Sequence, residues 1–175
     1  DVVMAGAGDD LMQGGSGFDT IDYSGAQAGL LVDLSKNTVS GEGADTVEGF
    51  ESFIGSRFDD NIKGTSGAER INGGDGDDVI RSLGGSDELT GGSGADRYVW
   101  KTKDVVDAAG KSLGVDIITD FETNDTLDLR GMVPADAATH LDDFVHLVET
   151  AEGTIVQVNT GTAFVDVVML QGVFT

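Results

Sequence analysis

The 175-residue chain has no cysteine, a single proline, 6% aromatic residues, and only 10 Lys plus Arg against 32 Asp plus Glu. Without cysteine, neither a disulfide nor a thiolate metal site can staple the fold. A formal net charge of -22 repels nucleic acid and anionic membrane surfaces, so any polyanionic partner would have to be reached through bound cations. No apolar run approaches the roughly 18 residues that a membrane-spanning helix needs. Scarce aromatics beside 27 glycines make a poor composition for a helical bundle or a sandwich, and suit a backbone that turns tightly and often. The length fits one domain, or one elongated repeat array with a cap.

What the chain does have is a surplus of short carboxylates, 24 Asp against 8 Glu, and a period. Asp60, Glu69, Asp78, Asp87 and Asp96 recur every nine residues, with glycines three to five residues ahead of most of them. The fullest units are Gly14-Gly15-Ser16-Gly17-Phe18-Asp19-Thr20-Ile21-Asp22, Gly73-Gly74-Asp75-Gly76-Asp77-Asp78-Val79-Ile80-Arg81 and Gly91-Gly92-Ser93-Gly94-Ala95-Asp96-Arg97-Tyr98-Val99. Each reads G-G-x-G-x-D-x-U-x with U apolar or aromatic, and residues 55–99 hold five nonapeptides without a gap, two of them with the full pattern. Isolated Gly-x-Asp is ordinary turn chemistry, Asp bonding its own backbone; an in-frame array is a ladder of ligands. In this frame Asp9, Asp59 and Asp77 fall one position early and read as solvated.

The repeat resembles the calcium-binding nonapeptide of the RTX (repeats-in-toxin, hemolysin-type) family. That resemblance implies an all-β fold, a parallel β-roll in which two nonapeptides make one coil, closed by a C-terminal β-rich cap. Residues 18 apart then stack at about 4.8 Å, with Asp60, Asp78 and Asp96 on one side and Glu69 and Asp87 on the other. Two carboxylates at that spacing repel by about 3.5 kcal/mol at an effective dielectric near 20, so the stack calls for cations. Calcium takes 6–8 oxygens with loose angular demands, which carboxylates and turn carbonyls can supply, whereas magnesium keeps its waters. The expected ligands are Asp1, Asp10, Asp19, Glu51, Asp60, Glu69, Asp78, Asp87 and Asp96, with turn carbonyls such as those of Gly14, Gly73 and Gly91. The turns before Asp60 and Glu69 keep only one and two of three glycines, which weakens those sites. The apolar positions Ile62, Ile71, Ile80, Leu89 and Tyr98 should point inward.

The organisation expected is a β-roll over 1–99, with a decorated coil at about 23–54, followed by a capping and secretion-target-like region at 100–175. In the decorated coil the glycine pattern lapses; residues 29–35 read as a strand followed by a Lys36-Asn37 turn. Asp33 and Glu42 match the acid phase by coincidence, and Gly43-Ala44-Asp45-Thr46-Val47 copies the motif out of frame. Beyond Trp100, strands are expected at 115–121, 126–129, 154–158 and 165–170, with a short helix near 136–148. The chain begins in mid-repeat, which reads as the C-terminal piece of a longer polypeptide. Asp116, Asp120, Asp125 and Asp128 could hold another ion, but strand-edge solubility is the simpler role. His140 and His146 have no cysteine or serine motif beside them, and no H-E-x-x-H or G-x-S-x-G occurs, so the chain reads as noncatalytic. Tyr98 and Trp100 read as a seal for the roll rather than a sugar platform.

The function expected is a noncatalytic calcium-binding module of a secreted, extracellular or cell-surface protein, folding when it meets calcium outside the cell and supporting type I secretion through that machinery. The alternative, resembling alginate epimerase R-modules or adhesin tails, is calcium-dependent binding of an extracellular polysaccharide or surface, with Arg57, Lys63, Arg70 and Arg81 as its cations.

Overall fold

The computed structural model describes residues 1–134, 140–161 and 163–171. In the repeat block, short glycine-rich turns alternate with strands of three to six residues, and each nonapeptide has one inward apolar residue at its U position. The strands fall alternately into two sheets. The first holds β1 (Val2–Met4), β3 (Thr20–Asp22), β7 (Ser52–Ile54), β9 (Arg70–Asp75), β11 (Glu88–Ser93) and β13 (Asp116–Ile118), all stacked in parallel. The second holds β2 (Leu11–Gln13), β8 (Asn61–Lys63), β10 (Val79–Arg81), β12 (Arg97–Lys101) and β14 (Thr126–Gly131). Across β8, β10 and β12 the register is 18 residues, Asn61 beside Val79 beside Arg97, as two nonapeptides per coil require. The fold is therefore an all-β parallel roll.

Ile21, Phe53, Ile62, Ile71, Ile80, Leu89, Tyr98 and Ile118 are at most 1% exposed and fill the space between the sheets. One residue per strand makes the core thin; burying each contributes about 1.5–3 kcal/mol.

In the decorated coil, β4 (Leu31–Asp33), β5 (Thr38–Ser40) and β6 (Ala44–Glu48) form an antiparallel meander inside the second sheet. β4 stacks in parallel on β8 and β6 on β2, so three strands fill one coil there, while the first sheet passes straight from β3 to β7. The meander reverses through a 3₁₀ turn at Leu34–Lys36 and a left-handed Asn37 (φ 60°), a conformation that Asn tolerates better than most side chains. Asp33 leaves the acid ladder to bind Lys63 at 2.9 Å and Lys36 at 3.3 Å. Glu42 accepts the Gln27 backbone N–H.

Both parallel ladders continue past residue 99, through β13 and β14. A single helical turn, α1 (Thr102–Val105), follows β12 and is tied back by Arg81, whose guanidinium makes two bonds to Asp104 at 2.8 and 3.0 Å. The first sheet then ends in an antiparallel hairpin stack, β17 (Phe164–Gln171), β16 (Gly153–Asn159) and β15 (Val145–Glu149). The helix expected near 136–148 is not formed by its described residues: Leu141–Asp143 is a 3₁₀ turn and Val145–Glu149 is a strand. Pairing of Val145 and Leu147 with Val158 and Val156 overrides a weak helical pattern. Residues 135–139 lie outside the described set.

Candidate calcium ladder

At the head of most of these strands a backbone N–H donates to the carboxylate one coil further on. Asp60 N donates to Asp78 Oδ1 (2.8 Å), Asp78 N to Asp96 Oδ1 (2.9 Å) and Asp96 N to Asp125 Oδ1 (3.0 Å) along the second sheet. Along the first, Glu69 N donates to Asp87 Oδ1 (2.9 Å), Asp87 N to Asp116 Oδ1 (3.0 Å) and Asp19 N to Glu51 (2.9 Å). The Asp1 nitrogen reaches Asp19 Oδ1 at 2.7 Å. Asp78, Asp87 and Asp96 are each 1% exposed, Asp60 and Asp19 2%, and Glu69 7%. The nine-residue acid period thus becomes two buried columns of carboxylates.

Asp19, Asp78, Asp87 and Asp96 each spend one oxygen, Oδ1, on that nitrogen. The second oxygen of Asp19, Asp78, Asp87 and Asp96, Oδ2 in every case, is buried with no hydrogen-bond partner. A buried charge lacking a partner is among the costliest features a fold can hold. The turns explain how it is tolerated. A methyl added to Gly73 would lie 2.1 Å from Asp78 Oδ2 and 2.7 Å from the Gly91 carbonyl oxygen; one on Gly91 would lie 2.1 Å from Asp96 Oδ2. The glycines keep open a cradle walled by a carboxylate oxygen and a turn carbonyl, the hard-oxygen donor set that calcium takes. Among the described residues no group of three or more His, Cys, Asp or Glu is placed to hold a metal.

Without an ion the columns oppose ionisation. Burial and repulsion from Asp60 and Asp96 push Asp78 up to about 8. Burial and Asp116 push Asp87 up to about 8, and burial with Asp125 and Asp120 pushes Asp96 up to about 6. Burial also raises Asp60, Glu69 and Asp116. A divalent cation would supply the opposite charge that these columns lack.

Of the residues expected as ligands, Asp19, Glu51, Asp60, Glu69, Asp78, Asp87 and Asp96 all stand in the two columns. Asp1 and Asp10 are exposed at the first coil, where their backbone nitrogens serve Asp19 and Asp45. The Gly73 and Gly91 carbonyls face the preceding turn, while beside Gly14 the near carbonyl is that of Gly49, 2.0 Å from where a Cβ would stand. Asp45 is missing from the expected set. Its Oδ1 accepts the Asp10 N–H at 3.0 Å across 35 residues, so the meander restores the frame that the linear sequence had lost. The local motif at 43–47 was the available signal.

The cap acids also have more specific roles than strand-edge solubility. Asp116 is 4% exposed and stands in the first column, taking Trp100 Nε1 at 2.7 Å and Ser82 Oγ at 2.9 Å. Asp120 accepts the Gly91 and Gly92 N–H groups, and Asp125 that of Asp96. Asp128 is held to about 2 by hydrogen bonds from Arg130, with Arg97 adding. Tyr98 and Trp100 are 0% and 1% exposed and stack at 6.4 Å, so they seal the roll. Asp59 and Asp77 are exposed, yet they accept the N–H groups of Asp77 and Ala95 in an outer ladder. His146 stacks on Phe164 at 3.8 Å, away from both columns.

Two glycine-turned columns of buried carboxylates between parallel sheets define a cation-binding repeat solenoid. Residues 1–24, 45–80 and 63–98 match the RTX calcium-binding nonapeptide repeat (4 copies), so these segments are RTX repeats and their cofactor is calcium, several ions to the module. A solved structure that it resembles in sequence is the solution structure of the AlgE6R3 subunit from the Azotobacter vinelandii mannuronan C5-epimerase, 26% identical, covering 67% of this chain and 73% of that one. Its TM-score is 0.26, and at that value the likeness carries no argument about shape. No curated protein matches the chain.

Proposed function

We propose that this calcium-binding RTX module is noncatalytic, belongs to a secreted protein, and folds when it meets calcium outside the cell, supporting type I secretion and the stability of its parent. The observation that carries this is the set of four buried carboxylate oxygens left without a donor. A highly charged chain with a one-residue-wide core does not offset its ordering entropy unaided. An ion that binds only the folded state adds about 2.7 kcal/mol per independent site at one hundred times its dissociation constant. A chain unfolded at low cytosolic calcium threads an exporter, and folding outside opposes return.

The test is a calcium titration in chelator-treated buffer, following Trp100 fluorescence and far-ultraviolet circular dichroism, with magnesium as control. A cooperative, calcium-selective gain of β structure is expected. Native-like dichroism in excess chelator contradicts the reading.

A second reading, calcium-dependent polysaccharide or surface binding, is favoured by one feature. An open cavity of about 360 Å³ on the first sheet is lined by Ser56, Arg57, Asn72, Asp75, Thr90 and Ser93 among others. Against it, the four repeat-block cations do not form one patch. Lys63 and Arg81 are bound to Asp33 and Asp104 on the second sheet, and Arg70 pairs with Glu88 on the first. Binding to a glycan array in calcium would support this alternative.

A further inference from the structure

We infer that the second residue of each nonapeptide decides whether its turn takes calcium: Ser56 and Thr65 close the Asp60 and Glu69 rungs with the protein's own donors, and the ions go to the rungs of Asp19, Asp78, Asp87 and Asp96. This rests on the calcium-binding reading above and divides the ladder into two kinds of rung.

Residues 14–22, 73–81, 82–90 and 91–99 supply the four carboxylates with an unpartnered oxygen. In all four, the second position has left-handed backbone and no hydroxyl: Gly15 (φ 97°), Gly74 (φ 115°), Leu83 (φ 77°) and Gly92 (φ 102°). In 55–63 and 64–72 that position is Ser56 and Thr65, neither with positive φ. There the turn folds onto its own carboxylate. Ser56 donates its N–H to Asp60 Oδ2 at 2.7 Å and its hydroxyl to Oδ1 at 2.8 Å, while Leu30 N adds 2.7 Å to Oδ1. Thr65 donates its N–H to both Glu69 oxygens, at 3.0 and 2.9 Å, and its hydroxyl to Oε1. Every oxygen of these two carboxylates thus already holds at least one hydrogen bond, and such charge-assisted bonds offset the demand for an ion that the unpartnered oxygens leave in place.

Two rungs outside the nonapeptide frame are closed by other donors. Asp45 Oδ2 takes the Tyr23 hydroxyl at 2.8 Å. Asp116 takes the Trp100 indole and the Ser82 hydroxyl. The ion-demanding rungs of Asp78, Asp87 and Asp96 therefore form one block between a donor-closed centre and a donor-closed end, with Asp19 a separate site.

Native mass spectrometry and equilibrium dialysis of the full chain in saturating calcium count the ions. Asp60→Asn/Glu69→Gln should bind as many ions as wild type, Asp78→Asn/Asp96→Asn at least one fewer, and Ser56→Gly/Thr65→Gly at least one more. Loss of ions from the first pair, or an unchanged count in the glycine pair, overturns the inference. Circular dichroism reports whether each variant folds. Should a variant fail to fold, carboxyl ¹³C resonances of the wild type settle the matter: Asp19, Asp78, Asp87 and Asp96 should shift on calcium addition and Asp60 and Glu69 should not. Equal shifts at both sets overturn it. A wild type that binds no calcium contradicts the calcium reading itself, a result distinct from either.

Discussion

The roll from β8 to β12 and the hairpin stack from β15 to β17 use the same backbone hydrogen bonds in opposite ways. In the hairpins, whose strands are five to eight residues long, Val156, Val158, Val167 and Val168 are buried within the hydrophobic core. In the roll, strands of three to six residues each bury an apolar side chain, with a carboxylate beside it. The hairpin stack is held by hydrophobic burial. The roll buries carboxylate oxygens to which the chain brings no donor, and this is the ground for the proposal that its folding depends on calcium.

Removing calcium should break the comparison most visibly. In excess chelator the roll should lose its β dichroism and its fluorescence signature from Trp100, and the loss should reverse on adding calcium but not magnesium. Gly92→Ala should follow in size. Its new Cβ would lie 1.9 Å from the Gly74 carbonyl oxygen in a backbone with φ 102°, at a cost of about 2–4 kcal/mol, read as a raised calcium midpoint or a lowered Tm. Gly161→Ala in the hairpin region, with φ 96° and open space, should cost about 1 kcal/mol.

pH sharpens the same contrast. The folded-state values of Asp78 and Asp87 (each about 8) and Asp96 (about 6) lie above the ordinary 3.8. Protons therefore bind the calcium-free folded state more tightly than the unfolded one. Their stabilisation is complete below about pH 4 and is lost as pH rises through 6 and then 8. In chelator, thermal melts should show more structure at pH 5 than at pH 7.5. In calcium the trend reverses, since protons compete for the ligands, and the calcium midpoint should rise as pH falls. The smallest effect is a gain: Leu83→Gly relieves a left-handed leucine (φ 77°) and should raise stability by about 1 kcal/mol.

Much of this was legible in the sequence because a nine-residue period leaves little freedom. The inward positions of Ile62 through Tyr98 follow from the period, and the two-sided placement of Asp60 to Asp96 from the β-roll that the RTX resemblance implies. Asp45 was not legible, because a meander of variable length stands between it and Asp10, and only pairing of β6 with β2 brings them together. Nor was Asp116, which enters its column after a 29-residue excursion from Asp87. The closure of Asp60 by Ser56 depends on turn conformation, which residue type suggests but does not determine. The expected helix near 136–148 failed where a partner strand outweighed local propensity.

The most direct test is amide hydrogen exchange on the full chain with and without calcium, compared peptide by peptide. The account predicts that residues 73–99 lose protection by more than about 100-fold, some 2.7 kcal/mol of linkage from a single site, while β15 to β17 lose far less. Equal protection of residues 73–99 in calcium and in chelator would contradict it.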